Sequence, residues 1–174
     1  MSNRGFIAVV AAVAFVALLG YGIVAKGKAR PEIGDVLQDE SVQRLGGTDD
    51  ASLADYRGRW VLVNLWASWC KPCVDESDAL EAYSKAHRKE VAVVGIDTDD
   101  ASTDALEFAR ANGITYDLLH DGEGKFKDAW GATGLPETML VDPEGKLAYR
   151  FIGQVDGSQL ETSVTPLIGS GGPA

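Results

Sequence analysis

The chain contains two cysteines, Cys70 and Cys73, separated by Lys71 and Pro72. A Cys-x-x-Cys pair lying between a buried strand and a helix is the arrangement of a dithiol that cycles with its disulfide. At the start of that helix Cys70 meets free N–H groups and the positive end of the helix dipole, both of which favour a thiolate. Lys71 adds a neighbouring cation, and Pro72 fits the first helical turn, where its missing N–H is not needed. Two intervening residues let the sulfurs meet while Cys73 lies deeper on the helix. The roles that follow are Cys70 as attacking thiolate and Cys73 as resolving thiol, with Lys71 and Pro72 tuning the acidity of Cys70. Two rival readings are weaker. Two cysteines are too few for a four-ligand zinc site, and the only histidines, His87 and His120, lie far from the motif and from each other, so neither a metal nor a cofactor is assigned. A purely structural bridge across so short a loop adds little through chain entropy.

The elements that must hold this pair can be read from hydrophobic period and turn chemistry. Trp60-Val-Leu-Val-Asn-Leu-Trp66 is a near-continuous apolar run, the pattern of a strand buried on both faces. A helix follows from about Lys71 to Arg88. Its stripe Cys73–Glu76–Leu80–Tyr83–His87 faces inward if Leu80 and Tyr83 do, which puts the Glu76 carboxylate beside a thiol whose proton it can take. The rival for Glu76 is an exposed helix acid. Asp75, Asp78 and Glu81 are assigned to a solvated face. Val91–Ile96 is a second buried strand, and Asp97 to Asp100 supply N-cap candidates for a helix over Ala101–Ala111, closed by Asn112-Gly113. Tyr116–Leu119 is a third strand and Lys125–Trp130 a small helix. Thr138–Val141 and Lys146–Ile152 flank the turn Asp142-Pro-Glu-Gly145. A last helix spans Gln159–Ile168, and Gly169–Ala174 is a loose tail. Upstream, residues 26–34 read as a linker, and Gly46-Gly47 and Gly58 mark a short hairpin and loop before Arg59. Trp66 and Trp130 are packing residues, Trp69 shapes the surface beside Cys70, and His87 and His120 are surface or satisfied histidines. The order of elements is that of an α/β layered fold.

Length and composition fit this reading. The 174 residues, 45% hydrophobic and 24% charged, suit one folded domain and argue against wholesale disorder. The net charge of −10 argues against a nucleic-acid partner, which demands a basic footprint. Residues 1–30 carry Arg4, Lys26, Lys28 and Arg30 and no acid, so residues 31–174 hold the other 12 basic groups against all 26 acidic ones, a net −14. Phe6 to Ala25 is a run of twenty residues without charge. As a helix it would reach about 30 Å, the thickness of a bilayer core. An uncleaved membrane anchor is the favoured reading. A cleaved signal is the rival, disfavoured because the run is long and meets Lys26-Gly27-Lys28 instead of a small-residue cleavage site. Three basic residues follow the run and one precedes it, so charge counting alone would place residues 31–174 in the cytoplasm. The redox chemistry of the pair argues for the opposite, extracytoplasmic side.

The segment Val61-Leu-Val-Asn-Leu-Trp-Ala-Ser-Trp-Cys-Lys-Pro-Cys73 resembles the thioredoxin superfamily. Gly134-Leu-Pro-Glu-Thr-Met-Leu-Val-Asp142 resembles its membrane-anchored extracytoplasmic branch, the TlpA/DsbE-like proteins of cytochrome c maturation. The similarity covers about residues 34–168. It implies a thioredoxin-like fold, a central mixed sheet flanked by helices, with an N-terminal hairpin extension and a central insert over residues 31–168. The membrane segment would occupy residues 1–30 and the tail 169–174. The resemblance also implies that Pro136 is a cis-proline facing the cysteine pair, exposing the backbone of Leu135 to an extended client, where the rival is an ordinary trans turn proline. It matches Glu76 to the acidic residue of this branch. Cytoplasmic-type thioredoxins carry a buried aspartate six residues before the first cysteine, and here that position is Asn64, which leaves more of the proton handling to Glu76.

The implied activity is a thiol–disulfide oxidoreductase that reduces a client disulfide. Apocytochrome c before haem attachment is the family-implied client, and a membrane electron carrier of the CcdA/DsbD type the implied donor. A peroxiredoxin-type peroxidase would need Thr-x-x-Cys where this chain has Ala67-Ser-Trp-Cys70. A copper chaperone of the Sco type would need a wider Cys-x-x-x-Cys and a distal histidine.

Overall fold

A computed structural model describes residues 30–169 together with Ala12 and Val13. The expected membrane segment over Phe6–Ala25 and the tail beyond Gly169 fall outside the described residues. Among the described residues no helix is long and apolar enough to cross a membrane. In chain order the elements are β1 (Val42–Arg44), β2 (Asp50–Ala51), a 3-10 turn (Leu53–Tyr56), β3 (Trp60–Trp66), α1 (Lys71–His87), β4 (Val91–Thr98) and α2 (Ser102–Ala111). They continue with β5 (Asp117–Asp121), α3 (Lys125–Ala129), β6 (Glu137–Val141), β7 (Leu147–Ile152), α4 (Gly157–Ser163) and α5 (Thr165–Gly169).

The strands form one mixed sheet in the order β2-β1-β5-β4-β3-β6-β7. β3 runs parallel to β4 and antiparallel to β6, and β4 runs parallel to β5. Every residue of β3 is buried, as expected of a strand covered on both faces. Side chains alternate across it. Val61, Val63 and Leu65 join a core with Ile96, Phe126, Trp130 and Met139. Trp60 and Leu62 pack on the other face against Leu80 and Tyr83 of α1 and Leu160 and Val164. The same alternation puts Asn64 and Trp66 on the α1 face, at the end of the strand that feeds the cysteines. The expected hairpin is β1–β2, which extends the sheet by pairing antiparallel with β5. α2 and β5 are the insert between β4 and α3.

Several boundaries differ from the sequence reading. Asp97 and Thr98 are not helix caps. They continue β4, fully buried, paired with His120 and Asp121 of β5, so α2 starts from Ala101 with no side-chain cap. The last helix is two helices, because Pro166 has no N–H to offer the Thr162 carbonyl. The first is capped by Asp156, whose side chain accepts from the Gln159 N–H. Glu81 is not on the solvated face. It is buried, accepting from the Thr115 N–H at 2.8 Å and hydroxyl at 2.5 Å and pairing with Lys85 at 2.9 Å. Asp75 and Asp78 are exposed. The end of the linker is docked. The Gly34 N–H donates to the Leu147 carbonyl at 2.8 Å, and the Leu147 N–H donates to that of Asp35 at 2.9 Å.

Gly95, in the middle of β4, sits where backbone must pass close to side chains. A Cβ there would lie 2.7 Å from Leu118 Cδ2, 2.9 Å from Trp66 Nε1 and 3.1 Å from Tyr116 Cε2. Gly95→Ala is therefore expected to overpack the floor beneath the cysteines and lower stability by about 1–3 kcal/mol. Urea unfolding checks this, and an unchanged midpoint would mean the Trp66 ring is free to move aside.

Candidate active site

Cys70 and Cys73 form a disulfide with their Cα atoms 5.3 Å apart. Cys70 is the N-cap of α1 and makes no side-chain cap bond, and Pro72 lies in the first turn. The Cys73 N–H donates to the Cys70 carbonyl at 3.0 Å, and the Cys70 N–H to that of Ala67 at 3.1 Å. Both sulfur residues are covered almost equally, Cys70 at 4% and Cys73 at 3% exposure, so in the oxidised protein the difference between them comes from position on the helix and not from access. They pack with Trp66, Ala67, Ala105 and Phe108, and Leu135 lies against the same cluster. Trp69 stands out at 63% exposure, its Nε1–H donating to the Asp99 carbonyl at 3.1 Å. The Lys71 ammonium lies 3.5 Å from Asp75 on the exposed side, so water and this carboxylate weaken its pull on Cys70.

Glu76 follows Cys73 by one turn on the same face and is 1% exposed, which excludes the exposed-acid reading. Its Oε1 accepts from Asn64 Nδ2 at 2.7 Å and its Oε2 from the Val155 N–H at 2.9 Å. Burial pushes its carboxyl up to about 7, against the opposing effect of these two neutral donors. A group poised there takes and returns a proton near neutral pH. Asn64 also donates to Thr138 Oγ1 at 3.0 Å, tying α1, β3 and β6 together under the cysteines. The residue that replaces the thioredoxin aspartate thus acts as a donor to Glu76. Its phase on β3 was readable in the sequence, but its partner was not.

The Leu135–Pro136 peptide bond is cis. The register pairing Leu65 with Glu137 carries Pro136 to the end of β3 from which the cysteine turn departs. Pro136 is buried and Leu135 half-buried. Glu137, which the sequence reading passed over, is fully buried, and its Oε1 accepts from Arg30 Nη2 and Arg150 Nη1, both at 2.5 Å. These two guanidiniums fix the start of β6 directly after the cis bond. The adjacency of Glu137 to Pro136 was the available signal, but a charged residue in an apolar strand suggests no partner by itself. Among the described residues no cluster of His, Cys, Asp or Glu is arranged to hold a metal ion. Both histidines are partnered, His87 with Glu161 at 2.9 Å and His120 with Asp97 at 2.6 Å.

A redox-active pair at a helix start, a buried acid one turn below and a cis-proline loop opposite sit on a sheet whose register is now fixed. Residues 33–150 match the AhpC/TSA family. The chain belongs to that family. It is 30% identical over 141 residues to the thiol-disulfide oxidoreductase ResA of Geobacillus thermodenitrificans, covering 79% of this chain and 80% of that protein. It is 34% identical over 130 residues to the thiol:disulfide interchange protein DsbE of Yersinia pestis, covering 74% and 66%. Among solved structures, a DsbF homologue from Corynebacterium diphtheriae superposes with TM-score 0.69 at 28% identity, covering 82% of this chain and 96% of that one. A putative DsbE from Chlorobium tepidum, at 23% identity and TM-score 0.74, shares the fold over 79% of this chain and 99% of its own. The thioredoxin-like α/β fold is thereby established, and the chain is a thiol-disulfide oxidoreductase of the DsbE/ResA type.

The buried carboxyl of this family member links acidity to stability. The native state holds the Glu76 proton up to about pH 7, whereas the unfolded chain releases it near 4.5, so the contribution is complete below 4.5 and is lost as pH rises through 7. Relative to Glu76→Gln, the wild-type protein is expected to lose about 3 kcal/mol of unfolding free energy between pH 4.5 and 8. Parallel pH profiles for the two proteins in denaturant titrations would place Glu76 in contact with water.

Proposed function

We propose that this oxidoreductase is a membrane-tethered, extracytoplasmic reductant of client disulfides. The observation that carries the exchange chemistry of this reading is the pairing of an uncapped helix-start cysteine with a resolving cysteine one turn above a buried acid near neutrality. The Cys70 thiolate attacks one sulfur of the client disulfide and releases the other as a client thiol. The Cys73 thiol gives its proton to Glu76, and the resulting thiolate attacks Cys70 Sγ. That step frees the second client thiol and leaves Cys70 and Cys73 oxidised, two electrons having passed to the client. A dithiol donor of the CcdA/DsbD type would restore the pair. Leu135, with its backbone beside the cis-proline, and Trp69, beside Cys70, would receive the client's extended chain.

The direction of electron flow, the client and the location rest on resemblance and on the N-terminal sequence. Apocytochrome c is proposed as client because Gly134-Leu-Pro-Glu-Thr138 resembles the cytochrome c maturation branch. Extracytoplasmic placement is proposed from the same resemblance together with the uncharged run Phe6–Ala25, against the charge count around it. A peroxidase finds less support, since Cys70 is bridged to Cys73 and not to a remote cysteine, and Ala67 stands where that chemistry needs threonine.

Two experiments test this. Cys73→Ala should leave Cys70 in a stable mixed disulfide with a c-type apocytochrome, identified by mass spectrometry. In Glu76→Gln the same adduct should form at the normal rate and resolve about 10²-fold more slowly. Absence of an apocytochrome adduct would remove the client, and normal resolution would remove Glu76 as the base. Separately, membranes prepared without detergent should retain the full-length chain through a high-salt wash, and protease added to spheroplasts should digest residues 31–174. A shortened soluble form would identify a cleaved signal, and full protection would reverse the topology.

A further inference from the structure

On the side of the cysteine turn opposite Glu76, the mechanism leaves a second group of acids unused. The Asp100 carboxylate Oδ2 accepts from the Ser68 N–H at 2.5 Å, and its Oδ1 accepts from the Ala101 N–H at 2.8 Å. Ser68 lies in the Ala67–Cys70 turn, so this carboxylate grips the backbone two residues before the attacking sulfur. The Asp97 and Asp100 carboxyls are close enough for each to shift the acidity of the other. Asp97 is fully buried at the end of β4, with Oδ2 2.6 Å from His120 Nδ1, and its Oδ1 has no hydrogen-bond partner among the described residues. Two adjacent carboxylates, one of them fully buried, cannot both be ionised cheaply, so the pair favours holding a proton. A proton on Asp97 removes the charge from a carboxyl that has one oxygen without a partner. Burial pushes Asp97 up to about 7 despite the hydrogen bond with His120, the Asp100 charge adding to the rise. Asp100 is held below the usual carboxylate range because the Ser68 and Ala101 donors and the Asp97 contact outweigh its partial burial.

The other charged groups nearby are engaged elsewhere. Asp121 accepts from the N–H groups of Lys125 and Phe126 and from the Thr98 hydroxyl. Asp99 pairs with Lys127, and Glu123 with Lys125. His120 is 20% exposed, and Gly122 leaves room for its ring: a Cβ there would lie 2.8 Å from Nε2. The line His120–Asp97–Asp100–Ser68 therefore runs from the surface through the buried Asp97 to the turn that carries Cys70.

We propose that Asp100 is a positioning residue for the Cys70 turn, and that Asp97, held in place by His120, sets the charge it presents, so that a proton on the two adjacent carboxyls gates the reactivity of the nucleophile. The inference rests on Cys70 being the attacking sulfur. The two adjacent carboxyls titrate as a pair. When the pair loses a proton it gains negative charge beside the helix start, which disfavours the Cys70 thiolate. Thiolate formation in the wild-type chain is therefore spread over a wider pH range than for a single group.

The test is the pH profile of Cys70 alkylation by iodoacetamide in the reduced full-length protein, with the labelled position mapped by peptide mass. Measuring it in both the wild-type and Glu76→Gln backgrounds removes the other buried acid from consideration. Asp97→Asn keeps a donor toward Asp100 and an acceptor for His120 but cannot add the charge. It should give a steeper profile, with the break near neutrality lost or moved down by a pH unit or more, and labelling at pH 8 about threefold faster. In the unmodified protein the Ser68 amide proton and the Asp97 carboxyl carbon should titrate with one midpoint by NMR, a readout that needs no variant to fold. An Asp97→Asn profile that superposes on the wild type, or a Ser68 amide shift that stays flat between pH 5.5 and 8.5, overturns the proposal. Labelling that maps first to Cys73 would instead refute the role of Cys70 in the proposed function, while the Ser68 shift still decides the grip of Asp100 on the turn.

Discussion

A carboxyl group almost without contact with water holds the working parts of this molecule together. Glu76 belongs to the helix that starts at the cysteines, takes one hydrogen bond from Asn64 of the central strand, and takes another from the backbone of Val155 beyond the last strand. Asn64 passes the connection on to Thr138 of the strand that follows the cis bond. Four stretches far apart in sequence thus converge on one acid, whose burial is unfavourable in its charged form and is offset by donors with no net charge. Moving any of the four would leave a polar group unpaired in the interior. The position of the resolving cysteine is in this sense fixed by its proton acceptor.

The contrast with Glu137 shows how environment assigns different work to one side-chain type. Both glutamates are buried within a few residues of redox machinery. Glu137 faces two guanidiniums, Arg30 and Arg150, and its charge is matched, so it acts as a fixed bolt between the start of the domain, β6 and β7. Glu76 faces only neutral donors and is left able to exchange a proton. Arg30 extends the bolt to the beginning of the described domain, which is thereby tied to the strand that follows the cis-proline.

The parts legible in the sequence were those specified by local pattern. The unbroken apolar run of β3, the inward stripe of α1 with Glu76 on it, and the cysteine spacing each carry their own signal, and the structure places them as read. Boundaries failed where tertiary pairing overrode local chemistry. Asp97 looks like a helix cap because aspartate so often is one, yet the parallel ladder to β5 extends two residues further and draws it inside. Glu81 looks like an exposed acid until Thr115, 34 residues away, supplies two donors. The Glu76–Asn64 contact, the His120–Asp97 and Asp100–Ser68 contacts and the Arg–Glu–Arg bolt share one property: each joins different elements, so residue type and spacing do not identify the partner.

The start of α1 differs from two other helix starts in the chain. The 3-10 turn is closed by Ser52 and α4 by Asp156, each offering an oxygen that permanently accepts a backbone N–H. At α1 the same station is held by Cys70, which while bridged offers no such acceptor. Only when the bridge opens and the sulfur carries a charge does this helix acquire the acceptor that those two starts always have, a difference worth about 1 kcal/mol for an ordinary cap. The helix is therefore structurally finished in one oxidation state and unfinished in the other. Electrons delivered to the pair also complete a piece of secondary structure, so the tendency of the protein to accept them and the firmness of its central helix vary together.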